Sequence, residues 1–232
     1  MNLKVLYEDP HMIVAEKPPK IPSQGDKTGD KDMLTYISEY LQIKYPEAKS
    51  PYVGLIQRLD RPVGGVMVFA KTKLANQKLS EQIQRKEIKK IYYGVVCGVP
   101  EKSQDILVDY LLKQSKGNIS KVVSKKSSNA KEAILEYELV ETLDTPEYGP
   151  LSLLKINLKT GRHHQIRVQL SHAQLPLWGD TKYNEAFVKP KEWTQIALWA
   201  RELTLNHPKT QKSLTFHSSP KEHYPFNLFT NI

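Results

Sequence analysis

Short apolar runs separated by turn signals make up most of this chain. Residues 3–8 and 12–16 (Leu-Lys-Val-Leu-Tyr-Glu and Met-Ile-Val-Ala-Glu) predict two strands joined by a turn at Asp9-Pro10, and Lys17-Pro18-Pro19 ends the second. A loop rich in Gly, Asp and Lys follows over 21–31. Leu34, Ile37 and Leu41 then recur at helical spacing between Asp32 and Tyr45. Val66-Met-Val-Phe-Ala70 is wholly apolar and predicts a central strand buried on both faces. Thr72 is placed to cap a helix that carries Ala75, Leu79 and Ile83 on one face. Further strands are predicted at Ile91–Cys97, at 133–140, where Leu135, Tyr137 and Leu139 alternate with Glu136 and Glu138, and at Leu151–Leu158. Ile166 and Leu170 suit a short helix after the glycine turn at Gly161, and 194–205 and 213–217 predict the last strands.

Strands outnumber helices, and most connections are too short to hold a crossover helix. The fold class is therefore α+β, a mixed and mainly antiparallel sheet core with flanking helices and loops. At 232 residues, with no fixed-period repeat and no linker, the simplest organisation is one catalytic domain over 1–232.

Composition narrows the partners. The single cysteine, Cys97, forms no internal disulfide, fits a reducing compartment and reads as a small buried filler. No apolar run approaches a membrane span and the first residues are too polar for a signal peptide, so a soluble, cytoplasmic protein without membrane contact is expected. Lys and Arg total 34 against 25 Asp and Glu, a net charge of +9, which suggests a polyanion such as nucleic acid. Between Lys113 and Lys131 there are six lysines and no acid. That segment is either a track for a phosphate backbone or a solvated flexible loop.

Three clusters hold candidate chemistry. In Gly54-Leu-Ile-Gln-Arg58-Leu-Asp60-Arg61-Pro-Val-Gly-Gly65, one carboxylate lies between two arginines at the start of the central strand. Flanking cations favour the ionised form, and an ionised carboxylate on a rigid strand can act as a nucleophile. A surface salt bridge in a turn is the plain alternative. Gly161-Arg162-His163-His164-Gln165-Ile166-Arg167 packs two arginines and two histidines into seven residues. The arginines suit a carboxylate or phosphate, an amphipathic helix with a basic face is the plain alternative, and no Cys or acid stands at metal-ligand spacing. In Lys89-Lys90-Ile91-Tyr92-Tyr93-Gly94 the adjacent tyrosines point to opposite faces, so one can line a cleft and stack on a base. No phosphate-binding loop, dinucleotide fingerprint or serine-hydrolase elbow occurs, which removes support from kinases, dehydrogenases and serine hydrolases.

Taken in order, these clusters resemble the motifs of the RluA-type pseudouridine synthases. Arg58-Leu-Asp60 with Gly65 and the strand to Ala70-Lys71-Thr72 looks like the family's catalytic motif. Lys90-Ile-Tyr92 with Gly98 looks like its tyrosine motif. Lys159-Thr-Gly-Arg162-His-His-Gln-Ile166-Arg167, with Pro176-Leu-Trp-Gly179-Asp180 and Tyr183, looks like its third, and Tyr7–Pro18 matches its first strand pair. The resemblance covers about residues 5–217. It implies an isomerase that converts uridine in ribosomal or transfer RNA to pseudouridine, without cofactor or metal, as a monomer. Residue by residue it implies that Asp60 attacks a flipped uridine, at the ribose C1′ or by a related glycal route. Tyr92 would stack on the base and help remove the C5 proton, Arg162 orient Asp60, Ile166 form an apolar wall, and Arg58 fill the gap in the RNA stack. Arg167 joins the substrate-binding set, and Lys121, Lys125 and Lys126 are the candidates for contact with RNA phosphates.

The chain departs from the family pattern in two places. Gln57 stands where the family has histidine, and Pro62-Val63-Gly64 replaces its usual x-Thr-Ser. The catalytic pattern begins within ten residues of Met1, so no N-terminal S4-like domain is expected. A catalytically silent RNA-binding protein on the same fold is the alternative function, and the retained Asp60, Tyr92 and Arg162 argue against it.

Overall fold

The computed structural model describes residues 3–47, 50–188 and 194–232. Eleven strands and four α-helices follow one another among the described residues. They are β1 (Lys4–Glu8), β2 (Met12–Lys17), α1 (Met33–Lys44), β3 (Gly54–Leu55), β4 (Gly64–Ala70), α2 (Lys73–Gln84), β5 (Lys89–Cys97) and β6 (Gln104–Lys113). Then come β7 (Ser120–Val122), β8 (Lys131–Thr145), β9 (Gly149–Leu158), α3 (Gln165–His172), α4 (Glu185–Val188), β10 (Leu198–Asn206) and β11 (Ser213–His217). The architecture is α+β, as the alternation of short apolar runs implied. The chain forms two compact units, one of residues up to 89 with Ala200–Ser218 and the other of Lys90–Trp199 with Ser219–Ile232.

The first unit is built around β4. All seven of its residues are buried, because Val66, Val68 and Ala70 pack with Ala75 and Leu79 of α2 and the opposite face, with Met67 and Phe69, is covered as well. Its strand order is β1-β2-β4-β10, with β3 paired to β4 and β11 to β10. The β1–β2, β2–β4, β3–β4 and β10–β11 pairs are antiparallel, with Lys17 opposite Gly65 and Met12 opposite Ala70 across β2 and β4. Two helices start on side-chain caps. Asp32 accepts the Thr35 N–H and Thr72 accepts the Ala75 N–H, each satisfying an amide that the first turn leaves unpaired. Met33, Ile37 and Leu41 form the buried stripe of α1, so Met33 takes the place expected of Leu34. Glu8 ties α1 to the strands, accepting from Lys44 Nζ at 2.7 Å, Lys71 Nζ at 2.7 Å and the Tyr40 and Tyr45 hydroxyls at 3.0 Å. Burial alone would raise its carboxyl, but these four donors outweigh it and hold the group down at about 2.

The second unit is an antiparallel sheet in the order β5-β9-β8-β6-β7. The alternation on β8 places Ala133, Leu135 and Tyr137 inward, then breaks at an irregularity between Leu139 and Glu141. The lysine-rich segment is no featureless loop. It contains β7, which pairs with the end of β6 from Leu111–Val122 to Lys113–Ser120, and the Val123 N–H donates to Tyr110 O at 2.8 Å. Cys97 is half-buried, its sulfur accepts the Asn184 Nδ2–H at 3.4 Å, and burial pushes its thiol up.

Gly65 shows how tightly β4 is held. Its φ is +122°, and a Cβ there would lie 2.3 Å from the Ala200 carbonyl oxygen and 2.6 Å from the Ala200 nitrogen. Both atoms are backbone, so neither moves without shifting β10. Gly65→Ala is expected to cost about 3 kcal/mol and to lower the melting temperature by roughly 6–12 °C in calorimetry. An unchanged melting temperature contradicts this packing.

Candidate active site

Asp60 opens a tight turn whose Asp60 C=O accepts the Val63 N–H at 2.9 Å. The two residues that bracket the turn, Leu59 and Val63, are buried at 6% and 2% exposure, so the turn is anchored at both ends by apolar side chains. Ser23 holds the residue before the carboxylate from both sides. Its hydroxyl donates to Leu59 O at 2.8 Å and accepts from Leu59 N–H at 3.1 Å.

Lys17 supplies the largest constraint. It is 0% exposed, and its ammonium donates to Pro18 O at 3.0 Å, Ile21 O at 2.6 Å and Arg61 O at 3.0 Å. Three donors meet three carbonyls, which is full satisfaction for an ammonium. One of these carbonyls belongs to the residue after Asp60. Burial pushes the Lys17 amine down to about 7, the Asp60 charge opposes that shift and Arg61 adds to it. The sequence marked Lys17 only as the end of a strand. The available signal was a lysine continuing an otherwise buried strand directly before two prolines.

Arg61, which the sequence left without a role, closes the turn from the other side. Its Nε donates to Lys20 O at 3.0 Å, and its Nη atoms reach Thr28 Oγ1 at 2.9 Å, Asp26 at 3.4 Å and Asp30. The side chain therefore gathers the 20–30 loop around the carboxylate's turn. Arg58 is exposed, and its side chain makes no hydrogen bond or ion pair among the described residues. Gln57, at the family's histidine position, reaches Val66 O through Nε2 at 3.4 Å, a contact at the long limit.

In the second unit, Tyr92 lies on β5 opposite Ile156 and is 7% exposed. The 160–165 loop is organised by Gln165. Its Oε1 accepts from Thr160 Oγ1 at 2.8 Å and Arg162 N–H at 2.9 Å, and its Nε2 donates to Ile134 O at 3.1 Å and Gln169 Oε1 at 2.9 Å. Arg162 is exposed, with its Nε on Glu132 O at 2.9 Å. Ile166 is 5% exposed in the first turn of α3.

Arg167 is in a different state from Arg162. It is 4% exposed and forks onto Asp180, which is 0% exposed, with Nε–Oδ2 at 2.8 Å and Nη2–Oδ1 at 2.7 Å. Asp180 Oδ1 also accepts from the Lys182 and Tyr183 N–H groups at 2.9 and 3.2 Å. The carboxylate that the arginine pattern called for is thus supplied in part by the protein itself. Residues 165–170 of α3 are all buried, which overturns the amphipathic helix with a basic face. A helix clad on every side has no polar stripe to display.

The histidines serve this network. Tyr183 Oη accepts the Ser120 N–H at 2.7 Å and lies within hydrogen-bond distance, 2.8 Å, of His164 Nδ1. Burial, then the charges of Arg167, His163 and Lys182, push His164 down to about 2, so the ring is neutral. His163 stacks on His164 at 3.8 Å, with its nitrogens on Ser120 Oγ at 2.8 Å and Asn118 Oδ1 at 3.0 Å. His172 Nδ1 stands 3.3 Å from Asp109. Lys121, Lys125 and Lys126 are all exposed, and Lys125 also lies 5.7 Å over the Tyr110 ring.

With this geometry in hand, comparison with known proteins is decisive. A family model described as RNA pseudouridylate synthase matches residues 11–172. The chain belongs to that family. Its similarity to ribosomal large subunit pseudouridine synthase D of Pseudomonas aeruginosa is 29% identity over 97% of this chain and 70% of that protein. The Vibrio cholerae synthase D is 30% identical over 94% and 67%, and the Rickettsia typhi synthase C is 34% identical over 80% and 58%. The fold resembles the solved human RNA Pseudouridylate Synthase Domain Containing 4, with a TM-score of 0.76 at 23% identity over 93% of this chain and 88% of that one. Family members of this kind are RNA pseudouridine synthases, which are isomerases.

Lys17 and His164 set a pH signature for this synthase. Each is depressed in the folded protein, so the unfolded chain binds more protons between the folded and unfolded values, and stability rises with pH across that window. For His164 the window runs from about 2 up to the ordinary histidine value, and for Lys17 from about 7 up to the ordinary lysine value. Urea titrations are expected to show stability falling on acidification below about pH 6.5, by up to about 1.4 kcal/mol per pH unit from His164. His164→Asn, which tolerates the left-handed backbone there (φ 55°), should flatten that slope. The same slope in wild type and variant contradicts a neutral, buried His164.

Proposed function

We propose that this protein isomerises uridine to pseudouridine in ribosomal RNA, with the Asp60 carboxylate acting as nucleophile on a uridine flipped out of the RNA. The substrate class rests on relatives named for the large ribosomal subunit. The observation that carries the residue assignment is the restraint on Asp60. Lys17 grips the following carbonyl, Ser23 the preceding residue and Arg61 the surrounding loop, so the carboxylate's backbone is preorganised. A surface salt bridge has no need of a buried ammonium under it.

The chemistry follows from that group. The N1–C1′ bond breaks, the uracil turns, and C5 bonds to C1′. C5 then loses its proton and N1 gains one, which leaves the composition unchanged. A base within folded RNA must be extruded first, at a cost of a few kcal/mol that stacking and phosphate contacts offset. Tyr92 supplies the stacking ring and Ile166 the apolar wall. Arg58, exposed and unengaged among the described residues, takes the vacated place in the stack. Lys121, Lys125 and Lys126 meet RNA phosphates, as their common exposure allows. Arg162 takes the cationic role that the resemblance implies. A second assignment of that role is favoured by one observation: Arg167 is buried and fixed by Asp180, whereas Arg162 is exposed.

The test is Asp60→Asn on a large-subunit RNA transcript, read by chemical mapping of pseudouridine and by RNA binding. Turnover is expected to fall roughly 10⁴-fold or more, with affinity changed less than about threefold. Retained turnover in the variant sinks the nucleophile assignment. In the same assay, replacing Lys121, Lys125 and Lys126 by Glu should weaken binding across sequences, and unchanged affinity removes them from the RNA surface.

A further inference from the structure

A half-buried cation of the second unit has no protein partner among the described residues. Lys90 is half-buried on β5, and its ammonium makes no hydrogen bond and no ion pair among the described residues. Its neighbour Lys89 is exposed and has Glu202 at 3.7 Å. Lysines 155 and 159 reach Glu138 and Glu136 at 4.0 and 2.9 Å. Lys90 is therefore the lysine of this strand region that has lost water without gaining an anion. Burial alone lowers its amine. An amine left in that state costs free energy, and a polar group so placed calls for an explanation.

Its location supplies one. Lys90 and Tyr92 are two positions apart on β5, so they share a face, about 7 Å apart along the strand. The ammonium also passes over Gly161, where an added Cβ would lie 3.7 Å from Nζ. It thus stands between the ring proposed to stack on the base and the loop that carries Arg162. A phosphodiester is the anion that a nucleic acid brings to such a point, and a lysine meets it as a compact charge with rotatable donors.

We propose that Lys90 binds an RNA phosphate next to the nucleotide stacked on Tyr92. This inference rests on the RNA-modifying reading given above and deepens it. The phosphate restores the partner that the ammonium lacks, and the strand fixes the spacing between phosphate and ring. The plain alternative is a long side chain that covers apolar surface with its stem and holds its charge toward water.

Salt dependence separates the two. Affinity of Lys90→Met and Lys90→Arg for an unmodified large-subunit rRNA transcript is measured from about 50 to 200 mM salt. Lys90→Met is expected to bind roughly tenfold more weakly at the low-salt end, with the slope of log affinity against log salt reduced by about one. Lys90→Arg should keep the slope, since it keeps the charge. An unchanged slope in Lys90→Met, whatever happens to its melting temperature, overturns the proposal. Pseudouridine formation by the wild type is scored in parallel. A wild type that modifies the transcript while Lys90→Met keeps its slope defeats Lys90 alone. A wild type that binds but never modifies defeats the synthase reading and leaves the phosphate contact to be judged by the slope.

Discussion

The Lys17 ammonium is the interaction on which the Asp60 region depends. It ends a strand that is buried on β4, and it turns three carbonyls of two separate loops toward one point. Removing an ammonium from water is costly, and several well-placed acceptors are needed to compensate. Here the acceptors are backbone atoms, so the compensation also fixes backbone. The carbonyl of Arg61 cannot leave Lys17 without stranding a buried charge. Asp60 therefore starts from a turn whose conformation is set before any substrate arrives. Ser23 adds two buried bonds to Leu59, and Arg61 adds bonds that are nearer the surface and more exposed to water. Gly65, opposite Lys17 in the sheet register, completes the arrangement by letting β10 close against β4 without a side chain between them.

A second buried charge plays the corresponding part in the other unit. Arg167 and Asp180 join α3 to the segment that follows it, and Asp180 then orders the backbone up to Tyr183. Tyr183 passes the constraint on, through Ser120, to the lysine-bearing hairpin of β6 and β7. His163 and His164 belong to the same connection, and their nitrogens are engaged in it rather than presented as ligands. The exposed lysines of 113–131 are in this way carried on a framework that starts at the histidine-arginine motif. Several hydrogen bonds together link the motif to the basic surface.

Much of the fold was readable in the residues. β4 was visible because a wholly apolar run of that length, bounded by glycines and a capping threonine, has few other solutions. The starts of α1 and α2 were visible because Asp32 and Thr72 are capping residue types placed just before helical periodicity. β6 escaped notice because its alternation is disguised: Ile106 and Val108 are exposed at 58% and 56%, so apolar residues occupy both faces. The pattern on β8 was legible only as far as its irregularity at Val140. The predicted start of the late strand at 194 fell short of the observed start at Leu198, and Trp193 before it lies outside the described residues. At the candidate site, Asp60, Tyr92 and the arginine pair were singled out by their company in the sequence. The burial of Lys17 was not, since a lysine's identity says surface and only its three carbonyls say otherwise. The resemblance assigned Arg162 to Asp60 and Arg167 to the substrate, and the burial of Arg167 and its fork onto Asp180 were not readable from the motif.

The central claim is that this chain changes uridine and does not merely hold RNA. Release of tritium to water from large-subunit RNA labelled at uracil C5 tests that directly. The account predicts release that grows with time and matches the pseudouridine recovered from the same RNA. Tight RNA binding with no tritium released, on total ribosomal RNA lacking its modifications, would contradict it.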